Sequence, residues 1–262
     1  MQIHSTTIHI GLQKPTGFLH MTDSHLPAAA DSAQRNRMEN ILAECLQYAA
    51  ENGLTPVHTG DMFTYLNDEN LRVFDRLFAG QDFIFAIGNH DFCPEGGDGD
   101  DAGNVPQAIP VLVQHFRQDL FFHSRMVGEL NVVTLQNGFF RIDAEQLSRL
   151  RTEAARGIPI LLCMHVPVFT PEHARERMKF GNCAHLLGAD ASFISQYPER
   201  YHFQRPDAVT LEAIRYIQNE PCIKAILAGH THMNYEEIPP GGVRQIVTGS
   251  LMDGHIREIR ID

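Results

Sequence analysis

Short hydrophobic runs recur along the chain, and each ends in a cluster of polar residues or glycine. Runs of this kind are typical of strands in a sheet whose faces are covered by helices. We therefore predict strands at residues 18–21, 55–58, 83–87, 131–135, 158–164 and 223–228.

Three segments between these strands repeat their hydrophobic residues at helical spacing. They are residues 33–51, a segment that begins at Asp143, and residues 207–219. Asp31 or Ser32 is the candidate N-cap of the first helix and Gly53 is its stop signal. Asp143 and Gln146 have the spacing of a capping box. These end signals agree with the hydrophobic spacing and support the three helices.

The order of these elements indicates the fold class. Strands that alternate with helices indicate an α/β fold, whereas residues 243–261 have the pattern of consecutive short strands, so we predict a mixed sheet. No linker divides the chain, and we predict one domain over residues 1–262. Residues 94–106 and 171–206 are irregular and longer than ordinary connections, and such loops often serve function.

Composition and charge narrow the classes of function. Hydrophobic residues make up 43% and charged residues 20% of the 262 residues, as in ordinary globular proteins. The formal net charge of -11 argues against binding of extended nucleic acid but leaves small phosphorylated substrates open. The five cysteines form no disulfide or metal pattern. No segment has the pattern of a signal peptide or a membrane span, so we predict a cytoplasmic protein.

Side chains suited to metal binding follow five of the predicted strands. Ligands of open α/β sheets bind at the carboxyl ends of the strands, so these positions are compared directly. They carry Asp23-Ser24-His25, Gly60-Asp61, Gly88-Asn89-His90-Asp91, His165 and Gly229-His230-Thr231-His232. Imidazole together with carboxylate and amide oxygen suits a transition metal better than Ca or Mg. Residues two apart on an extended segment point to the same side, so we expect Asp23 and His25 to reach one ion together.

A single histidine or Gly-Asp pair at a strand end is usually structural, but the five elements in this order resemble the calcineurin-like metallophosphoesterase superfamily. The pattern of that superfamily is D-x-H, G-D, G-N-H-[D/E], H and G-H-x-H, and the chain matches every element from Asp23 to His232. The resemblance implies a four-layer αββα sandwich with two mixed central β-sheets. It also places the active site on loops at one edge of these sheets.

The same resemblance implies a site for two metal ions such as Mn, Fe or Zn. One ion would be held by Asp23, His25, Asp61 and His232, and the other by Asp61, Asn89, His165 and His230. Asp61 would bridge the ions, because two cations this close repel each other unless an anionic group lies between them. A hydroxide formed from water trapped between the metals would attack the phosphorus.

The resemblance leaves His90 outside the ligand set, where it would assist the leaving group or stabilise charge on the phosphoryl oxygens. Some family members carry an acidic residue or Asn three positions after the bridging Asp, where it can orient this histidine. This chain has Thr64 there, which supplies no charge. His90 would then rely on Asp91 or another partner, and Asp91 itself is expected to be structural.

Residues 171–206 directly follow the His165 motif and bring basic residues into an acidic chain. We expect this insertion to lie on the substrate side, with Arg175, Arg177 and His185 in contact with the substrate. The alternative is a surface excursion whose basic residues pair with acidic neighbours.

The ordered pattern is similar to that of class III cyclic nucleotide phosphodiesterases, so we expect hydrolysis of a small phosphodiester such as a cyclic nucleotide or a glycerophosphodiester. A phosphomonoesterase or a nucleotide pyrophosphatase would use the same ligands. A non-catalytic metal-binding scaffold for protein interaction is the alternative from another class. Protein binding alone would not require every proposed ligand together with His90, and this chain has all of them.

Overall fold

The computed structural model describes residues 1–27, 32–239 and 242–262. Its strands and longer helices follow the order β1 (Gln2–Ile8), β2 (Thr16–Met21), α1 (Ser32–Glu51), β3 (Thr55–His58), α2 (Asp68–Phe78), β4 (Ile84–Phe85), α3 (Val105–Phe116), β5 (Phe122–Val127), β6 (Leu130–Leu135), α4 (Ala144–Ala154), β7 (Ile160–Met164), α5 (Pro171–Arg177), α6 (Ala191–Ile194), α7 (Ala208–Asn219), β8 (Ile223–Ala228), β9 (Tyr235–Glu237), β10 (Arg244–Val247) and β11 (His255–Ile261).

The predicted strands and helices are confirmed, with small shifts at their ends. Both hydrogen bonds of the capping box between Asp143 and Gln146 are present at the start of α4. Asp31, a candidate N-cap of α1, lies outside the described residues. No described helix combines the length and apolar character that crossing a bilayer requires.

Two mixed sheets form the centre of the molecule. The first has the strand order β1-β11-β2-β3-β4, with β11 and β2 antiparallel and the other neighbours parallel. The second has the order β5-β6-β7-β8-β10-β9, in which the inner strands are parallel and each edge strand is antiparallel to its neighbour. Residues 243–261, predicted as consecutive strands, supply β10 to one sheet and β11 to the other.

Successive residues of the central strands face different layers. Phe18 packs between the two sheets, while the next residue, Leu19, packs against α1 to α3 on the outer face of the first sheet. Leu161 likewise lies between the sheets, and Leu162 packs against α4 and α7. Side chains alternate across a strand, so strands buried on both faces read as continuous hydrophobic runs. The result is the predicted αββα sandwich.

Outside residues 171–206, five of the described strands and longer helices were not predicted from the sequence: β1, α2, α3, β5 and β9. Helix α3 contains Pro110 in its interior, and an interior proline removes a helical hydrogen bond and normally argues against a helix. Strand β1 lies at a sheet edge and is largely exposed, so it has no continuous hydrophobic run. Residues 171–206 are also more regular than predicted, since they contain α5 and α6.

Candidate metal centre

The predicted metal ligands lie on the loops that follow β2, β3, β4, β7 and β8. The structure brings six of them together in two groups of three, and the ligand atoms within each group lie within 4.8 Å of one another. The groups are Asp23 with His25 and His232, and Asp61 with His165 and His230. Each group combines one carboxylate with two imidazoles, a donor set suited to transition metals.

Asp61 belongs to the second group and also faces the first. Its Oδ2 is 3.2 Å from Nε2 of His165 and 3.7 Å from Nε2 of His25. Within the groups, Nε2 of His25 lies 3.2 Å from Nε2 of His232, and Nε2 of His165 lies 3.0 Å from Nδ1 of His230. Each pair is close enough to share a proton, and with both nitrogens deprotonated the two lone pairs could bind one cation in its place. The pairing therefore fits one cation at each group.

Unpaired buried atoms support the same conclusion. Among the described residues, the buried atoms without a hydrogen-bond partner include two acceptors at this site, Asp23 Oδ1 and Asn89 Oδ1. Leaving such an atom unsatisfied costs about 1–3 kcal/mol, more when the group is charged. The Asn89 side chain donates from Nδ2 to the Gly99 carbonyl, 3.2 Å away, which leaves its Oδ1 as a free acceptor. The donor atoms present thus fit a pair of metal ions.

Hydrogen bonds fix the orientation of the ligand side chains. Nδ1 of His165 lies 2.7 Å from the Thr59 carbonyl, and because a carbonyl only accepts, Nδ1 carries the proton. When the ring is neutral, the lone pair of His165 is therefore on Nε2, on the side of Asp61. Asp23 uses Oδ2 to accept from the His230 backbone N–H, which leaves Oδ1 available. Such outer hydrogen bonds orient metal ligands in proteins.

Burial and nearby charge set the protonation of the site. Burial lowers the pKa of His25 to about 4, even though Asp61 and Asp23 oppose this. Burial also lowers the pKa of His230 well below its usual value. For His165, burial acts in the same direction, but the charge of Asp61 outweighs it and raises the pKa to about 9. His25 and His230 are therefore neutral at neutral pH, the form in which imidazole binds a metal.

The ligand loops adopt left-handed backbone conformations. The described non-glycine residues with positive φ are Asp23, His25, Asp61, Arg117, Phe140, His185, His230 and His232. The expectation that Asp23 and His25 lie on an extended segment is wrong, since their φ angles are 52° and 44°. Their side chains converge on one group although the backbone at both residues is left-handed, so strand alternation is not what brings them together.

His90 is oriented by a backbone group. Its Nδ1 donates to the Thr64 carbonyl, 3.2 Å away. Thr64 therefore holds the histidine through its main chain, although its side chain supplies no charge. A Cβ atom at Gly99 would lie 2.7 Å from the His90 ring, so glycine is required for this close approach. The backbone N–H of His90 donates to Oδ1 of Asp61 at 2.9 Å. These contacts leave Nε2 of His90 as the ring nitrogen available for chemistry.

Asp91 is buried under the metal centre and accepts three backbone hydrogen bonds. Its carboxylate oxygens lie 2.9 Å from the N–H groups of Asp61 and Gly88 and 3.1 Å from that of Phe63. Burial and the negative charge of Asp61 raise the pKa of Asp91 to about 7. The carboxylate ties the loop after β3 to the loop after β4, as a structural residue would.

Replacing Asp91 with Ala should lower the free energy of unfolding by about 3 kcal/mol or more, because three buried N–H groups would lose their acceptor. Urea unfolding of metal-free protein measures this loss. The control is Asp82→Ala, which removes an exposed carboxylate paired with Arg125 and should cost less than about 1 kcal/mol. Equal losses in the two variants would contradict a structural role for Asp91.

A cavity of about 300 Å³ opens over the metal-ligand groups. Its lining comprises His25, Asp61, Asn89, His90, Asp98, Gly99, Asp100, Arg177, His185, His230 and His232. Of the predicted substrate contacts, Arg177 and His185 belong to this lining, whereas Arg175 does not and pairs with Glu172. Asp98 and Asp100 also belong to the lining but were not predicted as site residues, because acidic residues in an irregular, Gly- and Asp-rich stretch are typical of a solvated loop.

A two-sheet sandwich with converging carboxylates and imidazoles at one sheet edge defines a metal-dependent hydrolase. The family model of the calcineurin-like phosphoesterases matches residues 16–234. The chain belongs to this family and is a metal-dependent phosphoester hydrolase.

Solved structures show a similar fold at low sequence identity. A dimetal phosphatase from Danio rerio is 12% identical and superposes with a TM-score of 0.57 over 90% of this chain and 88% of that one. A phosphopantetheinyl hydrolase from Mycobacterium tuberculosis is 11% identical, with a TM-score of 0.47 over 93% of this chain and 90% of that one. At these identities the likeness concerns the fold alone. A comparison with curated protein sequences gives no significant match.

Proposed function

We propose that the chain hydrolyses a small phosphodiester at a site for two metal ions. The observation that supports this most is the convergence of two imidazole pairs on either side of Asp61. Asp23, His25, Asp61 and His232 would hold one ion, and Asp61, Asn89, His165 and His230 the other. When bound, two such ions polarise the phosphoryl oxygens and lower the pKa of a coordinated water.

The metals proposed are Mn, Fe or Zn. The proposed ligands are imidazole nitrogens and carboxylate or amide oxygens, without a thiolate, and this set suits these transition metals. None of the buried cysteines belongs to either ligand group. Metal analysis of protein grown with each metal in turn tests which ion binds.

His90 is proposed as the acid that protonates the leaving alcohol. Its Nδ1 is committed to the Thr64 carbonyl, so a proton on Nε2 is the one available for transfer. Arg177 and His185 line the same cavity and are proposed to contact the phosphate and the group esterified to it. The His185 ring packs edge-on against the His230 ring at 5.6 Å, which places it beside a proposed ligand.

Residues 171–206 are proposed as a substrate-side insertion within one domain. The insertion has a small hydrophobic core of its own, which includes Ala174, Leu186 and Ile194. This core supports α5, whose last residue is Arg177, and the segment that carries His185, since the neighbouring Ala184 and Leu186 belong to it. The arrangement favours a substrate role over a surface excursion for this part of the chain.

Two carboxylates in the cavity lining favour a diester over a monoester. Asp98 and Asp100 line the cavity together with Arg177. A phosphodiester carries one negative charge, whereas a monoester carries up to two near neutral pH, so neighbouring carboxylates disfavour the monoester more strongly. The same charges support exclusion of polyanionic nucleic acid from the cavity.

Turnover of bis-p-nitrophenyl phosphate and of p-nitrophenyl phosphate tests the proposal, with Mn, Fe, Co or Zn supplied in separate assays. We expect a higher kcat/KM for the diester with the best metal. A higher value for the monoester with every metal would refute the diester preference and favour the phosphomonoesterase alternative. If neither compound is hydrolysed with any metal, the proposed phosphoesterase activity is contradicted for p-nitrophenyl esters.

Replacing Arg177 with Ala should lower kcat/KM for the diester about 10–100-fold, because a hydrogen bond between a guanidinium and a phosphate contributes about 1.5–3 kcal/mol. The matched control is Arg175→Ala in the same helix, whose guanidinium pairs with Glu172 outside the cavity. Steady-state kinetics of both variants decide the point. Equal kcat/KM in the two variants would remove Arg177 from substrate binding.

A further inference from the structure

The loop that follows β6 contains none of the proposed metal ligands, yet it contacts three of them. We call residues 136–140 the β6 loop. It follows one of the six predicted strands, as the ligand loops follow the other five, but Gln136 and Asn137 were not predicted as site residues. Its contacts are made by Asn137, Gly138 and Phe140. All three residues contact ligands that are proposed for the same ion.

Asn137 holds the His165 backbone. Its side chain is fully buried, and its Oδ1 accepts from the N–H groups of His165, at 3.0 Å, and Val166, at 2.9 Å. Its Nδ2 donates to the Val166 carbonyl at 2.7 Å. One planar amide thus makes three hydrogen bonds to two consecutive residues. A network that is fully satisfied in a buried setting is rigid, so these bonds fix where the His165 side chain begins.

The other two contacts reach the remaining ligands of the same ion. A Cβ atom on Gly138 would lie 2.8 Å from the backbone nitrogen of Asn89, so the β6 loop packs directly against that residue. The ring of Phe140 meets the His230 ring edge-on, with centroids 5.4 Å apart. His165, Asn89 and His230 are the ligands proposed for one ion together with Asp61.

The first ion's ligands lie apart from this loop. Within the described residues, no hydrogen bond and no ring contact joins residues 136–140 to Asp23, His25 or His232. Asp23 is instead held by Ser250, whose hydroxyl donates to its carbonyl at 2.8 Å. The β6 loop would therefore support the ligands of one ion only, although the two ligand groups also meet directly at Asp61 and at the hydrogen bond from the His230 backbone N–H to Asp23.

We propose that Asn137 is a positioning residue that sets the affinity of one of the two metal ions, the one held by Asn89, His165 and His230. This inference rests on the proposed assignment of ligands to ions. Loss of a hydrogen bond that orients a metal ligand typically weakens metal binding about 10–100-fold. The effect is expected on that ion and not on the ion held by Asp23, His25 and His232.

The test compares Asn137→Leu with Asn131→Leu in the full chain. Asn131 is a matched control, because it is a fully buried asparagine near the other end of β6 and donates to Glu153 far from the ligands. Metal-free proteins are titrated with Mn or Zn against a competing chelator, and bound metal is counted by mass spectrometry. We expect two ions per chain in the wild type and in Asn131→Leu. In Asn137→Leu one ion should bind as in the wild type and the other about 10–100-fold more weakly.

Two further variants keep the test decisive. Asn137→Asp retains the oxygen that accepts from His165 and Val166 but places its second oxygen against the Val166 carbonyl, so it should restore only part of the lost affinity. Phe140→Leu keeps an apolar side chain in the core but removes the ring edge from His230, and it should also weaken only one ion. If Asn137→Leu does not fold by circular dichroism, these two variants carry the test.

Three results would overturn the inference. The first is equal affinity for both ions in Asn137→Leu and Asn131→Leu. The second is equal weakening of both ions, which would mean that Asn137 supports the fold as a whole. The third is a wild type that binds fewer than two ions, in which case the proposed ligand assignment fails as well. A wild type that binds two ions but hydrolyses no phosphoester would contradict the proposed function alone and leave the role of Asn137 standing.

Discussion

Replacing Asp61 with Asn should lower kcat/KM by about 10³-fold and reduce bound metal below two ions per chain. Removing one preorganised electrostatic group costs about 10²–10³-fold in many enzymes, and Asp61 is expected at the upper end because it faces both ligand groups. Two cations about 3.5–4 Å apart repel strongly, and the neutral amide would no longer offset this repulsion. Metal counting and steady-state kinetics on the same preparation measure both effects.

The control for this prediction is Asp91→Asn. Asp91 is also a fully buried aspartate and adjoins Asp61, but its oxygens accept from backbone N–H groups and it belongs to neither ligand group. The control should lose stability and some metal affinity, because Asp91 holds the Asp61 backbone, but at saturating metal it should still bind two ions, since every proposed ligand remains. An Asp61→Asn variant that binds two ions and turns over diester at the wild-type rate would exclude Asp61 as the bridge.

Replacing His90 with Asn should lower kcat about 10²–10⁴-fold without loss of metal, since general acid catalysis typically contributes this much and His90 lies outside both ligand groups. The loss should depend on the leaving group. p-Nitrophenolate leaves readily without a proton, whereas an alkyl alcohol needs one. The drop should therefore be larger for an alkyl diester than for bis-p-nitrophenyl phosphate.

Three outcomes distinguish the roles of His90. Retained metal with a drop that depends on the leaving group supports the acid role. An equal drop for both esters would instead assign His90 to stabilising charge on the phosphoryl oxygens. Wild-type rates for both esters would exclude any catalytic role, and metal loss would make His90 a contributor to the metal site.

The parts of the fold that the sequence predicted are those with local signals. Strand β7 is a continuous hydrophobic run that ends directly before His165, and strand β8 is hydrophobic except for Lys224 and ends directly before Gly229-His230, because both strands are largely buried on both faces. Helix α2 had usable signals that were overlooked: Asn67 caps it, and Leu71, Phe74 and Phe78 have helical spacing. Helix α3 was not predictable in this way, because Pro110 contradicts its pattern.

The supporting contacts of the site could not be read from local patterns. Asn137 forms hydrogen bonds to residues 28 and 29 positions away, and nothing in the neighbouring sequence indicates that its partner lies in another loop. The Thr64 side chain raised doubt about how His90 is held, but the bond is made by a carbonyl, which every residue has. Such contacts depend on how the loops meet in three dimensions, so residue identity alone does not specify them.

The left-handed backbone at Asp23, His25, Asp61, His230 and His232 has a consequence for the lifetime of the protein. A non-glycine residue held in this conformation costs about 1–3 kcal/mol, and several together are comparable to the net stability of about 5–15 kcal/mol of a typical domain. Bound ions offset this strain through mass action, since a ligand of the native state alone stabilises that state. Metal starvation would then do more than stop turnover, because the empty chain opens more often and becomes a better target for proteases.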